Sequence, residues 1–150
     1  MSTNGRLVLA TFCDDIRYEQ GNKYSLIGCY REDLVISHIP AALPKLCAAI
    51  TVITPIDRLF EKLTICAKVG DETIAELEIR EEQLQALKNE TLAPERTGMK
   101  KVELHCHMTF SPFNVIQPSV LRIEAETEDG IIKGTNLQIR QRVESDHRNP

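Results

Sequence analysis

Apolar and polar residues alternate along most of this chain. Between Lys101 and Ser111, Val102, Leu104, Cys106, Met108 and Phe110 share one face, while Lys101, Glu103, His105, His107 and Thr109 share the other. A period of two predicts a strand with one side in a core and the other in water. Leu63, Ile65, Ala67 and Val69 repeat the pattern, Gly70-Asp71 marks a turn, and 72–79 (ETIAELEI) continues beyond it. Leu46–Thr54 is apolar on both sides, which predicts a central strand.

Facing arguments set two hairpin registers, because slipping a strand by one residue turns every side chain to the opposite face. In the opening stretch, Val8, Ala10, Phe12, Ile16 and Tyr18 share a face, as do Tyr24, Leu26, Gly28 and Tyr30. A loop at Gln20-Gly21-Asn22 pairs Tyr18 with Tyr24, Ile16 with Leu26, Glu19 with Lys23 and Cys13 with Cys29. Near the other end, Leu121, Ile123 and Ala125 must share a face with Leu137 and Ile139. A three-residue loop, Glu128-Asp129-Gly130, achieves this with Leu121 opposite Leu137 and with Gly130 left-handed.

One helix is expected, over Glu81–Asn89, where acids open the segment, Leu84 and Leu87 share a face and Lys88 lies near the end. Pro40–Pro44 and Asn89–Lys100 read as loops. Residues 1–143 form one domain in this reading, and 144–150 form a frayed tail. About eight short strands with one short helix predict an all-β fold, a two-sheet antiparallel β-sandwich of immunoglobulin-like or C2-like type. With no Trp in the chain, the immunoglobulin Cys…Trp…Cys pattern is absent.

Composition narrows the function classes. The chain has 150 residues and a formal charge of −4, which argues against a general nucleic-acid binder. No apolar run approaches the roughly 18 residues of a membrane helix, so no membrane partner is expected. The opening residues lack the pattern of a secretory leader. Five cysteines, an odd number without a CxxC pair, sit inside strand-like runs as small apolar residues. The expected setting is the cytoplasm.

Asp14 and Asp15 interrupt the first apolar strand. The register places Asp14 on the apolar face opposite Gly28, where a carboxylate must be hydrogen-bonded, paired or protonated. A structural acid satisfied by backbone amides or by an arginine such as Arg17 or Arg31 is one reading. A β-bulge turning both acids outward is another, and a ligand site at Asp14, Asp15 and Gly28 is a third.

The same stretch carries a resemblance. Cys13, Asp14, Asp15, Arg17, Glu19, Gly21, Lys23, Ser25, Leu26, Ile27, Gly28 and Tyr30 resemble the N-terminal signature of a family of uncharacterised, mostly bacterial proteins of about this length. A looser similarity runs from Pro55 through Leu63. The resemblance implies a small β-sandwich of unknown function and brings no catalytic residues.

His105 and His107 project from one face of one strand and form a weak metal-binding pattern, with Cys66, Glu124 and Glu126 as candidate third ligands. Cys106 points to the other face, which disfavours a Cys–His nucleophile. No phosphate loop and no Gly-x-Ser-x-Gly elbow occurs. Arg122, Glu124, Glu126, Gln138, Arg140 and Arg142 form a mixed-charge outer face. The surplus of two-sided apolar strands suggests a covered outer face, supplied by the helix and loops or by a second subunit.

The leading expectation is a non-catalytic binding or assembly module that self-associates or binds another protein, with no cofactor. The alternative is a small-molecule- or metal-binding protein, enzymes included, that uses Asp14 and Asp15 or His105 and His107.

Overall fold

A computed structural model describes residues 5–93 and 98–144. Within them the protein is predominantly β. The strands are β1 (Leu7–Glu19), β2 (Lys23–Cys29), β3 (Asp33–Ile36), β4 (Ala41–Leu43), β5 (Leu46–Pro55), β6 (Leu63–Val69), β7 (Glu72–Ile79), β8 (Lys101–Phe110), β9 (Phe113–Val115), β10 (Ser119–Thr127) and β11 (Gly130–Gln141). One α-helix, α1 (Glu81–Thr91), and a 3₁₀ turn at Ile56–Arg58 complete the described elements.

The strands form a four-stranded sheet in the order β2-β1-β5-β8, a five-stranded sheet in the order β3-β11-β10-β6-β7, and a two-stranded sheet of β4 and β9. The short β4 lies in the segment expected to be a loop. A second correction concerns direction: β3 runs parallel to β11, with Leu34 opposite Ile139 and Val35 opposite Arg140. The other pairings are antiparallel. A parallel partner far away in sequence leaves no mark on local alternation, so the run Leu34–Pro40 does not reveal it. The tail expected at 144–150 lies, apart from Glu144, outside the described residues.

The inward faces of the two larger sheets meet in one cluster. Val8 and Phe12 of β1, Leu46, Ala48, Ile50 and Val52 of β5 and Met108 of β8 join Ile65, Ala67, Leu121, Ile123, Ala125, Ile132, Leu137 and Ile139 from the other sheet. Each valine, leucine, isoleucine, methionine and phenylalanine among them contributes about 1.5–3 kcal/mol on burial, and each alanine less. As its apolar pattern implies, β5 is central, with β1 on one side and β8 on the other.

The β10–β11 hairpin takes one register at its open end and another at its turn. Leu121 faces Leu137 as expected, but Thr127 faces Gly130, so the turn has two residues, Glu128-Asp129, in place of the expected three. A bulge reconciles these registers: Gly134 and Thr135 together oppose Ile123 between the pairs Arg122–Asn136 and Glu124–Lys133. Gly134 is required there, because a β carbon would stand 2.7 Å from the Ile123 carbonyl oxygen and 2.9 Å from that of Val8. The Ala10 N–H donates to Thr135 Oγ1 at 2.9 Å, tying β1 to the bulge.

The helix runs to Thr91, two residues beyond the expected Asn89. Gln83 Oε1 accepts the Arg80 N–H at 2.9 Å, securing its first turn. Leu84 enters the core. Lys88 lines a cleft with Arg6, Ile56, Arg58 and Glu128, so the helix stands at that end of the sheets. No described helix is long and apolar enough to cross a membrane.

Candidate functional site

The first hairpin has the register its facing pattern implies: Cys13 opposite Cys29, Asp15 opposite Ile27, Ile16 opposite Leu26, Tyr18 opposite Tyr24 and Glu19 opposite Lys23. One register holds throughout, which excludes a β-bulge at Asp14-Asp15. Gly28 instead adopts a left-handed backbone, φ 68°, and its α-carbon lies directly beneath the Asp14 carboxylate. The Tyr30 hydroxyl donates a short hydrogen bond to Asp14 Oδ1. Burial, together with the Asp14 carboxylate, pushes the Tyr30 phenol well above its usual range.

Asp14 is exposed, against the expectation that it points into the core. β1 pairs with β5 only from Leu7 to Cys13, and past that point it has β2 alone as a neighbour. Both faces of the ribbon therefore reach water. Asp15 is half-exposed and binds Lys45 Nζ at 3.0 Å, while its Oδ1 also accepts the Ile16 N–H at 2.9 Å. The Lys45 hydrogen bond leads in lowering the Asp15 pKa. A tyrosine thus takes the place of the arginines considered for Asp14, and a lysine pairs with its neighbour Asp15.

The outer half of the hairpin leans across β5 onto β8. Tyr18 Oη lies 2.7 Å from His107 Nδ1, and the Tyr24 ring meets the same imidazole edge-on at 4.7 Å between centroids. Cys13 and Cys47 sit on the outward side of their strands, yet they are 0% and 1% exposed. The chain's own first hairpin covers the Cys47 end of this face, where neither the helix and loops nor a second subunit is needed.

His105 and His107 share a face of β8 as expected, but each has its own partners. His105 lies 3.2 Å from Thr51 Oγ1 and 3.4 Å from a Glu103 oxygen, whereas His107 is held by Tyr18. Burial, then the neighbouring His105, lowers the His107 pKa. The proposed third ligands are misplaced: Cys66 lies on β6, and Glu124 and Glu126 lie on β10, all in the other sheet. Among the described residues no group of three or more His, Cys, Asp or Glu side chains is arranged to hold a metal ion. Cys106 faces away from both histidines, and burial pushes its thiol up to about 11. A thiol so rarely ionised is a poor nucleophile.

Sequence reasoning missed Arg6, whose side chain is only 2% exposed. Its guanidinium donates to Glu128 at 2.8 and 3.1 Å, to Thr54 Oγ1 at 3.1 Å and to the Arg58 carbonyl at 2.7 Å, and it lies 4.3 Å from the centre of the Phe60 ring. Burial opposes ionisation of Glu128, but hydrogen bonds from Arg6 and the Glu61 amide outweigh it and leave the Glu128 pKa lowered. A guanidinium so fully engaged clamps the β10–β11 turn onto the end of β5. The available signal was parity, since Arg6 falls on the same face as Val8.

Sequence reasoning also missed a cleft of about 460 Å³ at the opposite end of the five-stranded sheet. Ile74, Phe110, Phe113, Val115 and Ile139 line it, with Glu72, Asn114 and Gln117 among its polar groups. Phe110 and Phe113 pack with ring centres 5.8 Å apart. The turn 111–112 and the short β9 shape one wall, and neither has a hydrophobic period to announce it.

Compared with known proteins, the sequence matches no family model and no curated protein.

Proposed function

We propose that the protein is a non-catalytic binding module, a β-sandwich of immunoglobulin-like or C2-like type, that associates with a second copy of itself. The observation that carries this reading is an apolar strip on the outward side of the four-stranded sheet. Leu7 faces Ile53 and Leu9 faces Thr51 across β1 and β5, and Leu7 and Leu9 are 37% and 49% exposed. The hairpin covers the Cys47 end of this face and not the Leu9 end. Adjacent large apolar side chains facing water mark an interaction surface more often than scattered ones do.

A further feature supports a role outside ligand chemistry. The acids raised as site candidates are engaged within the chain, Asp14 by Tyr30 and Asp15 by Lys45. Five unpaired cysteines suit a cytoplasmic setting, in keeping with the resemblance of Cys13–Tyr30 to a family of uncharacterised, mostly bacterial small β-sandwich proteins.

Light scattering across a dilution series tests the proposal. The mass should exceed the 16.9 kDa of one chain at high concentration and fall on dilution. Leu9→Lys should remain a single chain throughout. A wild-type protein that stays monomeric at the highest concentration removes self-association.

A second reading rests on the end cleft. Its volume and apolar lining suit a small apolar ligand, and they move the small-molecule alternative away from Asp14, Asp15, His105 and His107. Saturable binding of an apolar fluorescent dye, lost in a Phe113→Asp variant that keeps its fold, is the expected result.

A further inference from the structure

Three cysteines lie side by side on three adjacent strands. Cys29 of β2 faces Cys13 of β1, and Cys13 faces Cys47 of β5. Facing residues of antiparallel strands point to the same side, so the three side chains form one row. Their environments differ, since Cys29 is exposed while Cys13 and Cys47 are buried.

The hydrogen-bond pattern distinguishes the two pairs. The Tyr30 N–H donates to the Phe12 carbonyl at 2.8 Å, so Phe12 turns its backbone polar groups toward β2. Its neighbour Cys13 turns its own toward β5. Cys13 and Cys29 are therefore a facing pair without mutual hydrogen bonds, and Cys13 and Cys47 are a hydrogen-bonded pair. Side chains approach more closely in the first kind, with α-carbons about 4.5 Å apart against about 5.5 Å in the second. A disulfide needs β-carbons about 3.5–4.5 Å apart, which the first kind approaches better.

We propose that Cys13 and Cys29 form a reversible disulfide in exchange with low-molecular-weight disulfides. The exposed Cys29 thiolate attacks one sulfur of the small disulfide, forming a mixed disulfide and releasing one small thiolate. The Cys13 thiolate then attacks Cys29 Sγ, closing the internal bond and releasing the second. Two protein thiols are oxidised, one small disulfide is reduced to two small thiols, and the two protons lost by the protein go to the leaving thiolates. The bond would staple the base of the hairpin beside the Asp14–Gly28 contact, where β1 leaves β5. Burial, then Cys47 and Cys29 nearby, pushes the Cys13 thiol up to about 11. Closure is accordingly the slow step, and it should quicken about tenfold per pH unit through the neutral range as the thiolate fraction grows.

The test treats the full chain with oxidised glutathione, then alkylates free thiols under denaturing conditions and maps peptides by mass spectrometry. Two of the five cysteines should be protected, joined as a Cys13–Cys29 peptide that dithiothreitol releases. Cys47→Ala should give the same link, and Cys29→Ser should leave Cys13 and Cys47 free. Glutathione that stays on Cys29 while Cys13 remains alkylatable overturns the proposal, as does a Cys13–Cys47 link in the wild-type protein. The wild-type map decides the matter even if a variant fails to fold.

Discussion

The Asp14 carboxylate occupies the space that a β carbon on Gly28 would need. Gly28 is also left-handed, φ 68°, a conformation that costs other residues roughly 1–2 kcal/mol. Gly28→Ala must bear that cost and displace Asp14 from Tyr30, so a loss of about 2–3 kcal/mol in urea unfolding is expected. Gly21, φ 82°, has nothing within 4 Å of such a β carbon, so Gly21→Ala should lose only about 1–2 kcal/mol. Equal losses in the two variants would show that the Asp14 contact has no structural weight.

Asp14→Asn should be mild. The side chain is exposed, and an amide oxygen can still accept from Tyr30. A change within about 0.5 kcal/mol is expected, as for most surface substitutions. A drop of several kcal/mol would return Asp14 to the role of a buried acid.

Arg6→Met should be among the most damaging single changes. It removes the cation paired with Glu128 and one of the two donors on the Arg58 carbonyl, leaving these acceptors the Glu61 amide and the Thr54 hydroxyl. Breaking one side of a buried ion pair costs about 3–5 kcal/mol. Arg6→Lys should recover little, because an ammonium cannot span Glu128, Thr54 and the Arg58 and Leu59 carbonyls together. Denaturant midpoints of the three proteins check this ordering.

His107 should make stability fall in mild acid. Burial and His105 hold its folded-state pKa below the usual 6.5. The unfolded chain therefore takes up the proton first as pH drops. The contribution is fully present above about pH 6.5 and is lost as pH falls through the lower folded value. Urea midpoints between about pH 7.5 and 5.5 should decline in the wild type and decline less in His107→Gln. An unchanged slope would place the titrating group elsewhere.

Hairpins were legible wherever alternation ran for several residues on both strands, as in β1–β2 and β6–β7. A two-sided apolar run correctly marked β5 as central. Three-residue strands such as β4 and β9 are too short to show a period, and nothing local announces the β3–β11 pairing. For the last hairpin, the shared apolar face of Leu121 and Leu137 argued for a three-residue loop, and the turn adopted two. The Gly134-Thr135 bulge reconciles them at a point where Val8 of the other sheet comes close to Gly134, a contact that alternation cannot encode. Asp14 was misplaced for a related reason: parity says which side of a strand a residue occupies, not whether another layer lies there. Arg6 shows the converse, a charge on the inner parity that is buried because Glu128 meets it.

The parallel seam between β3 and β11 also bears on the order in which the protein can be assembled. Asp33 must wait for Gln138. During synthesis, more than a hundred residues separate the appearance of one strand from that of its neighbour. β11 also lies between β3 and β10, so the five-stranded sheet is left in two pieces until this late segment leaves the ribosome. Loops that long close slowly. A truncated nascent chain lacking β11 would expose the hydrophobic sides of both pieces, and such surfaces are where chaperones bind and aggregation begins.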